Sequence, residues 1–358
     1  RLLARAGLRV GLLTRTAATL DGQEVTRPQL LKRLAAGSVD VCTGTHALLE
    51  EKVKFANLAL AVVDEQHRFG VQQRATLRAK AGEGSPHFLS LSATPIPRSL
   101  SLVFYGDLDI SIISRLPPGR RPVATRVVLP HQRDSVYAAV REAVRAGHQA
   151  FITCPLIDPS DTVGVRSVSQ EYERLRTEVF SDLKLGCLHG RLKPADKAAA
   201  MAAFLANQTQ VLVTTTVVEV GVDVPNATVM VIEGADRFGL AQLYQLRGRV
   251  GRASHASSCF LLTDSDADAT MRRLDAFLRA KNCFELAEAD LKFRGPGQLF
   301  GSQQSGFLDL KIATPQDTRL AQVARETARE IVSDQQWIHH YPELAELVKD
   351  ELLLAHLE

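Results

Sequence analysis

The chain is 358 residues long, 45% hydrophobic and 23% charged, which is enough for two separately packed domains. Its 43 basic and 40 acidic side chains leave a net charge of +3, which excludes a protein that coats nucleic acid through a broad cationic field; any phosphate contacts must be local. Five cysteines (Cys42, Cys154, Cys187, Cys259, Cys283) form no Cys-x-x-Cys pair and four lie in or beside strand-like runs, so buried free thiols are expected and a disulfide scaffold or metal knuckle is not. No signal-peptide pattern and no membrane-length apolar run occurs, which predicts a cytoplasmic protein with no membrane contact.

In chain order, strand-like runs at 9–13, 39–43, 58–64, 87–92 and 108–114 alternate with helical spacing at 27–36, 71–81 and 98–104. Such alternation predicts a doubly wound parallel sheet, and residues 1–115 are taken as a first lobe. The segment 116–122, Leu-Pro-Pro-Gly-Arg-Arg-Pro, can continue neither helix nor central strand and reads as a hinge. A second α/β lobe follows over 123–264, with strands near 124–129, 149–154, 184–188, 210–215, 228–233 and 258–263. Helices fit at 133–146, 170–182, 194–206 and 239–247, and 158–164 is a polar loop. Past Asp264 the strands stop: a helical hairpin over 268–280 and 284–291, a glycine-rich loop over 294–306 and further helices complete the region 265–358.

Polar loops follow the apolar strands at four places. These are Asp64-Glu65-Gln66-His67, Ser92-Ala93-Thr94, the stretch from Thr214 to Pro225, and Gln245-Leu246-Arg247-Gly248-Arg249-Val250-Gly251-Arg252. In open α/β sheets ligands bind at the carboxyl ends of strands, so four such loops suggest one shared site. Alone, the last would be a solvated basic turn. Arg249 and Arg252, three apart with a glycine immediately before each, have instead the rigid donor forks that match phosphate oxygens.

These four stretches resemble motifs II, III, V and VI of the superfamily 2 helicases. The longer strings Asp64 to Val71, Leu91 to Leu100, Phe104 to Asp109 and Phe238 to Arg252, with Arg294-Gly295-Pro296-Gly297-Gln298, are similar to the RecG family of ATP-dependent DNA helicases over nearly the whole chain. The resemblance implies two RecA-like parallel-sheet motor lobes plus a C-terminal helical hairpin and tail, ATP and Mg²⁺ as cofactors, and forked or branched double-stranded DNA as partner. A single-strand-binding protein as partner and a monomeric state go with it. Phosphate-cradling G-x-x-x-x-G-K-[ST] is absent and the chain begins with Arg1, so the first lobe is expected to be truncated, and this chain by itself to be inactive in ATP hydrolysis.

Residue by residue, the resemblance makes Asp64 the Mg²⁺ ligand, partly through water, Glu65 the residue that orients or deprotonates the attacking water, and Arg249 and Arg252 the arginine fingers. Gln245, Gly221 and Asp223 approach the nucleotide. Gln66, His67, Ser92, Thr94 and Gln304 couple hydrolysis to movement. Gly44, Thr45, His46, His189, Thr214, Thr215 and Arg294 face the DNA, the hydroxyls and backbone donors holding phosphates without reading sequence. Two rivals stand beside this: the translocase of transcription-repair coupling, which shares Phe238 to Leu243 and Thr94 to Pro97 but from which Gln66 and Phe104 to Asp109 distinguish the chain, and a non-hydrolysing truncation that only grips DNA.

Overall fold

The computed structural model describes residues 2–64, 76–77, 80, 86–92, 109, 111–113, 117, 119–155, 168–215, 223–252, 255–294, 317–334 and 336–355. The chain divides into two compact units, Arg1–Thr94 and Pro95–Glu358.

In the first unit a short helix α1 (Leu2–Arg5) precedes β1 (Val10–Leu13), β2 (Ala18–Leu20), β3 (Gln23–Glu24), α2 (Arg27–Ala35) and β4 (Val41–Gly44). These strands form one sheet in the order β3-β2-β1-β4, with β1 and β4 parallel and β2 folded back antiparallel on β1. The hairpin between β2 and β3 is not anticipated by the apolar alternation. Its turn is Asp21-Gly22, both at positive φ (51° and 83°), which is what a two-residue hairpin turn requires. Helix α2 begins where the Gln29 side chain accepts the Thr26 N–H at 3.1 Å, and buries Leu30 and Leu34, one helical turn apart, against Leu13, Leu20, Ala47 and Val53. Strands β5 (Leu60–Val63) and β6 (His87–Ser90) pair in parallel as a separate two-stranded sheet. Among the described residues, then, the strands of this unit fall into two sheets, one of them mixed, where a single parallel series is expected from the sequence. Residues 109 and 111–113 are not in a strand. The helices expected at 71–81 and 98–104 and the loop at 158–164 lie outside the described residues, apart from 76–77 and 80.

The second unit holds the six-stranded sheet. Strands β7 (Ala124–Val128), β8 (Gln149–Thr153), β9 (Leu185–Leu188), β10 (Val211–Thr214), β11 (Ala227–Ile232) and β12 (Ser258–Leu262) run parallel in the order β7-β12-β11-β8-β10-β9. Between them lie α3 (Arg133–Arg145), α4 (Val168–Arg174), α5 (Pro194–Leu205) and α6 (Leu240–Arg247). Strand side chains alternate between faces, and the core divides accordingly: Phe151, Leu212, Met230 and Leu261 join one apolar cluster, Ile152, Val211, Val231 and Phe260 the other. Both faces are buried, hence the near-continuous apolar runs. Helix α4 continues into a π-helical turn, Leu175–Val179, where an unbroken α-helix is expected over 170–182.

Helices α7 (Asp268–Arg279) and α8 (Cys283–Arg294) form the expected hairpin; the Asn282 side-chain oxygen accepts the N–H groups of Phe284 and Glu285 at 3.0 and 2.9 Å, which starts α8. Helices α9 (Thr318–Ser333), α10 (Trp337–His340) and α11 (Pro342–Ala355) follow. All five cysteines are free, but only Cys154 and Cys259 are fully buried; Cys42, Cys187 and Cys283 are half-buried, a correction to the sequence expectation that follows from their places at sheet and helix margins. Burial pushes the thiols up, to about 11 at Cys42 and about 12 at Cys259, so they stay protonated. Among the described residues no helix is long and apolar enough to cross a membrane.

Candidate active site

In the first unit, the pairing of β5 with β6 sets Val63 opposite Ser90 and carries Asp64 and Ser92 to the same end of that small sheet, both exposed. Register alone thus brings the end of motif II and the start of motif III to one edge of the sheet, with Asp64 level with Leu91 and Ser92 one residue beyond. Gly44 ends β4, Thr45 and His46 follow it, and all three are exposed. Gly44 also has a structural reason to be glycine: a Cβ there would stand 2.1 Å from the Leu13 carbonyl oxygen, so the two strands could not approach. Glu65, Gln66, His67 and Thr94 lie outside the described residues.

In the second unit motif V starts at the carboxyl end of β10, but its Asp223 and the Gly248–Arg252 turn of motif VI meet at the amino ends of the parallel strands, next to Val123 and Ser257 that precede β7 and β12. This corrects the carboxyl-end placement expected from the sequence, because α6 runs back along the sheet from the end of β11. Arg252 pairs with Asp223, Nη1 to Oδ1 at 3.3 Å, and its Nε donates to the Gly248 carbonyl at 3.1 Å. The pair is partly solvated, the side chains 31% and 57% exposed, so it contributes little to stability and leaves the guanidinium open to another anion. Arg249 sits half-buried in the same turn. Gln245, one turn back along α6, has a buried Nε2 with no hydrogen-bond partner among the described residues. An amide donor left in that state costs about 1–3 kcal/mol and marks a place where a polar ligand group would fit. Gly221 is outside the described residues.

Thr214 ends β10 at 1% exposure, its carbonyl accepting the Cys154 N–H at 2.8 Å. A side chain so enclosed cannot reach a DNA phosphate, which corrects the expectation for Thr214 and leaves it with half-buried Thr215. His189 follows β9 and is half-buried; the next carbonyl, Gly190, accepts Lys197 Nζ at 2.7 Å. Arg294 is the last residue of α8, and Gln304 lies outside the described residues.

Sequence reasoning missed the residues that hold α6. Its entry loop is tied by Arg273 of α7, which donates to the carbonyls of Asp236 and Phe238, and by Thr263, whose hydroxyl donates to Asp236 Oδ1 at 2.8 Å. Gln242 accepts the Gly239 N–H at 3.0 Å at the helix start. Arg247 stacks over Tyr244 and over Phe277 of α7, 5.0 and 4.6 Å from the ring centroids. At the far end Arg120 donates to the carbonyls of Gly251 and Gly248 at 3.0 and 3.3 Å. Only the capping Gln242, three residues after Gly239, carries a local signal.

No group of three or more His, Cys, Asp or Glu side chains able to hold a metal occurs among the described residues. An ion shared with substrate phosphates needs only one or two carboxylates, and exposed Asp64 fits that donor set.

Three family matches cover the chain in order: DEAD/DEAH box helicase over residues 5–103, helicase conserved C-terminal domain over 135–254, and ATP-dependent DNA helicase RecG, domain 3, C-terminal over 280–352. The ATP-dependent DNA helicase RecG of Synechocystis sp. is 45% identical over 94% of this chain and 40% of its own length. That of Thermotoga maritima is 49% identical over 83% of this chain and 38% of its own. A solved structure of RecG bound to a three-way DNA junction superposes with a TM-score of 0.65 at 43% identity, over 82% of this chain and 37% of that one. The chain therefore spans about two fifths of the length of these relatives. Sequence, family and structure matches agree that the chain belongs to the RecG family of ATP-dependent DNA helicases, of which it carries the motor region.

Proposed function

We propose that the chain is the motor of an ATP-dependent helicase or translocase that remodels branched DNA such as stalled forks and Holliday junctions. The observation that carries this reading is the meeting of Asp223 and Arg252 at 3.3 Å on a turn that also bears Arg249 and, one helical turn back, the unpartnered Gln245 amide. Two guanidiniums and a spare donor around a partly solvated turn suit a polyanionic ligand. Branched DNA as the substrate is supported by the relative solved on a three-way junction.

In this reading Asp64 would hold a magnesium ion, which when bound would supply positive charge against the phosphates. Glu65 orients the attacking water, while Gln245, Gly221 and Asp223 bind the nucleotide. Arg249 and Arg252 oppose the charge that develops on the transferred phosphoryl oxygens. Gly44, Thr45, His46, His189, Thr215 and Arg294 contact the DNA backbone, and Gln66, His67, Ser92, Thr94 and Gln304 relay the nucleotide state to it. The lobes are residues 1–115 and 123–264, joined by the linker 116–122 and followed by the helical region 265–358. A cytoplasmic monomer that meets a single-strand-binding protein at forks completes the proposal.

The test is kinetic, in the full-length natural protein. Glu65→Gln and Arg252→Ala should each lower DNA-stimulated kcat by about 10³-fold while junction affinity at fixed salt stays within a few-fold. An unchanged kcat in either variant rejects that residue's role.

A further inference from the structure

The linker and the arginine turn are joined at two points. Arg120 spans two carbonyls of the turn, Nε to Gly251 at 3.0 Å and Nη2 to Gly248 at 3.3 Å. Val123, three residues on, packs against the same turn: Gly251 has φ +70°, and a Cβ on it would lie 2.7 Å from Val123 Cγ2. Strand β7 then begins, with Ala124 N–H donating to the Ser257 carbonyl at 2.9 Å, so the linker's exit is in register with the sheet.

The chemistry of the turn explains why such a contact matters. Gly248 caps α6, and the last carbonyls of a helix lack intrahelical donors and carry its negative dipole end. A planar cationic fork is well matched to the Gly248 carbonyl at the helix end and the Gly251 carbonyl of the turn beyond it at once, and an ammonium is not. The Gly248 carbonyl also accepts Arg252 Nε at 3.1 Å, so one oxygen is the junction between the linker arginine and the finger arginine. Remove Arg120, and Gly251 loses its Nε donor while Gly248 keeps, among the described residues, Arg252 as its donor.

We propose that Arg120 is a positioning residue for ATP hydrolysis: by holding the Gly248 and Gly251 carbonyls it sets the aim of Arg249 and Arg252. The proposal rests on the reading of Arg252 as a finger. It makes the linker part of the hydrolytic apparatus, so that a change of linker conformation alters the presentation of the fingers. Arg120 acts through the backbone between the fingers, the Gly248 and Gly251 carbonyls.

Two measurements test this. Steady-state kinetics in the full-length natural protein should show kcat about 10- to 100-fold lower for Arg120→Ala, with KM for ATP and junction affinity within about 2-fold, since misplacing a catalytic group by about 1 Å is enough for such a loss. Arg120→Lys should recover only part of it, and in an Arg252→Ala background Arg120→Ala should cost clearly less than it does in the natural protein, because the share of its effect that runs through Arg252 is already lost and only the aim of Arg249 remains to be disturbed. Hydrogen exchange on the present chain supplies a readout free of activity: the Gly248, Arg249 and Val250 amides, bonded to Tyr244, Leu246 and Arg247, should exchange faster in Arg120→Ala while β11 amides are unchanged. Full activity of Arg120→Ala beside an inactive Arg252→Ala overturns this proposal alone, as do multiplying losses in the double variant or unchanged exchange at 248–250. An active Arg252→Ala overturns the finger reading and the proposal with it.

Discussion

Glu233 follows β11 at 8% exposure and is held by one neighbour above all: Arg133 Nη1 donates to both its oxygens at 3.1 and 2.8 Å, while Nη2 reaches Asp264 at 3.0 Å. Burial pushes the Glu233 carboxyl up, the Arg133 charge pulls it back, and Glu171 and Arg174 act in opposite senses behind them. A carboxyl raised in the folded state binds its proton more tightly there than when unfolded. Glu233's contribution to stability is therefore fullest below its unfolded value and is lost as pH rises through the folded one. Arg133→Met keeps the aliphatic packing and removes the compensating charge, so the carboxylate is left buried with less to oppose it. We expect a loss on the order of 3 kcal/mol at pH 8 and a smaller one at pH 5, where Glu233 can take up a proton. Urea unfolding at both pH values checks this; equal losses would mean that Arg133 contributes packing and not charge.

At the scale of elements, α6 owes its place to side chains far away in sequence. Phe277 of α7 is fully buried, packs in the cluster that contains Leu240, Leu243 and Leu246, and presents its ring to Arg247. Phe277→Ala should cost about 3–5 kcal/mol in chemical denaturation through the cavity it leaves. Phe277→Leu keeps most of the volume and should cost less than about 1.5 kcal/mol plus the lost ring face, so the two variants separate packing from the cation stack. This dependence also shows what the sequence could and could not say. Strands β8, β10, β11 and β12 were legible because burial on both faces demands continuous apolar runs, and the carboxyl-end rule placed motifs II and III and the start of motif V; it misplaced the Asp223–Arg252 pair, because α6 carries the chain back to the amino ends of the strands. The β2–β3 hairpin was not, because its strands are too short to show a period; its signal was the Asp21-Gly22 dipeptide. The bonds from Arg120 to Gly248 and Gly251 close over more than a hundred residues and leave no local pattern to read. Thr214 and Thr215 look alike as hydroxyls in a row; only the end of β10 separates an enclosed side chain from one that reaches the surface.

On the scale of the whole molecule, the described residues of the two units differ sharply in how much apolar surface they enclose. The second has a six-stranded sheet with a buried cluster on each face, reaching into the α7–α8 hairpin through Leu274, Phe277 and Leu286. The first has, among its described residues, a core of Leu13, Leu20, Leu30, Leu34, Ala47 and Val53, while Leu60, Val62 and Leu89 of the β5–β6 sheet remain about half exposed. Hydrophobic stabilisation scales with the area removed from water, about 25 cal/mol per Å², and the ordering cost scales with residue number, so the smaller core should fail first. Heating the present chain should therefore give two transitions and not one, the lower belonging to the first unit. Limited proteolysis between them should spare a fragment containing residues 119–294, with strands β7 to β12 and the hairpin. Phe277→Ala should then lower the upper transition and leave the lower in place, whereas Leu30→Ala should do the reverse. A single transition shifted by both variants would mean that the two units unfold as one cooperative body, and that the second sheet draws stability from the first.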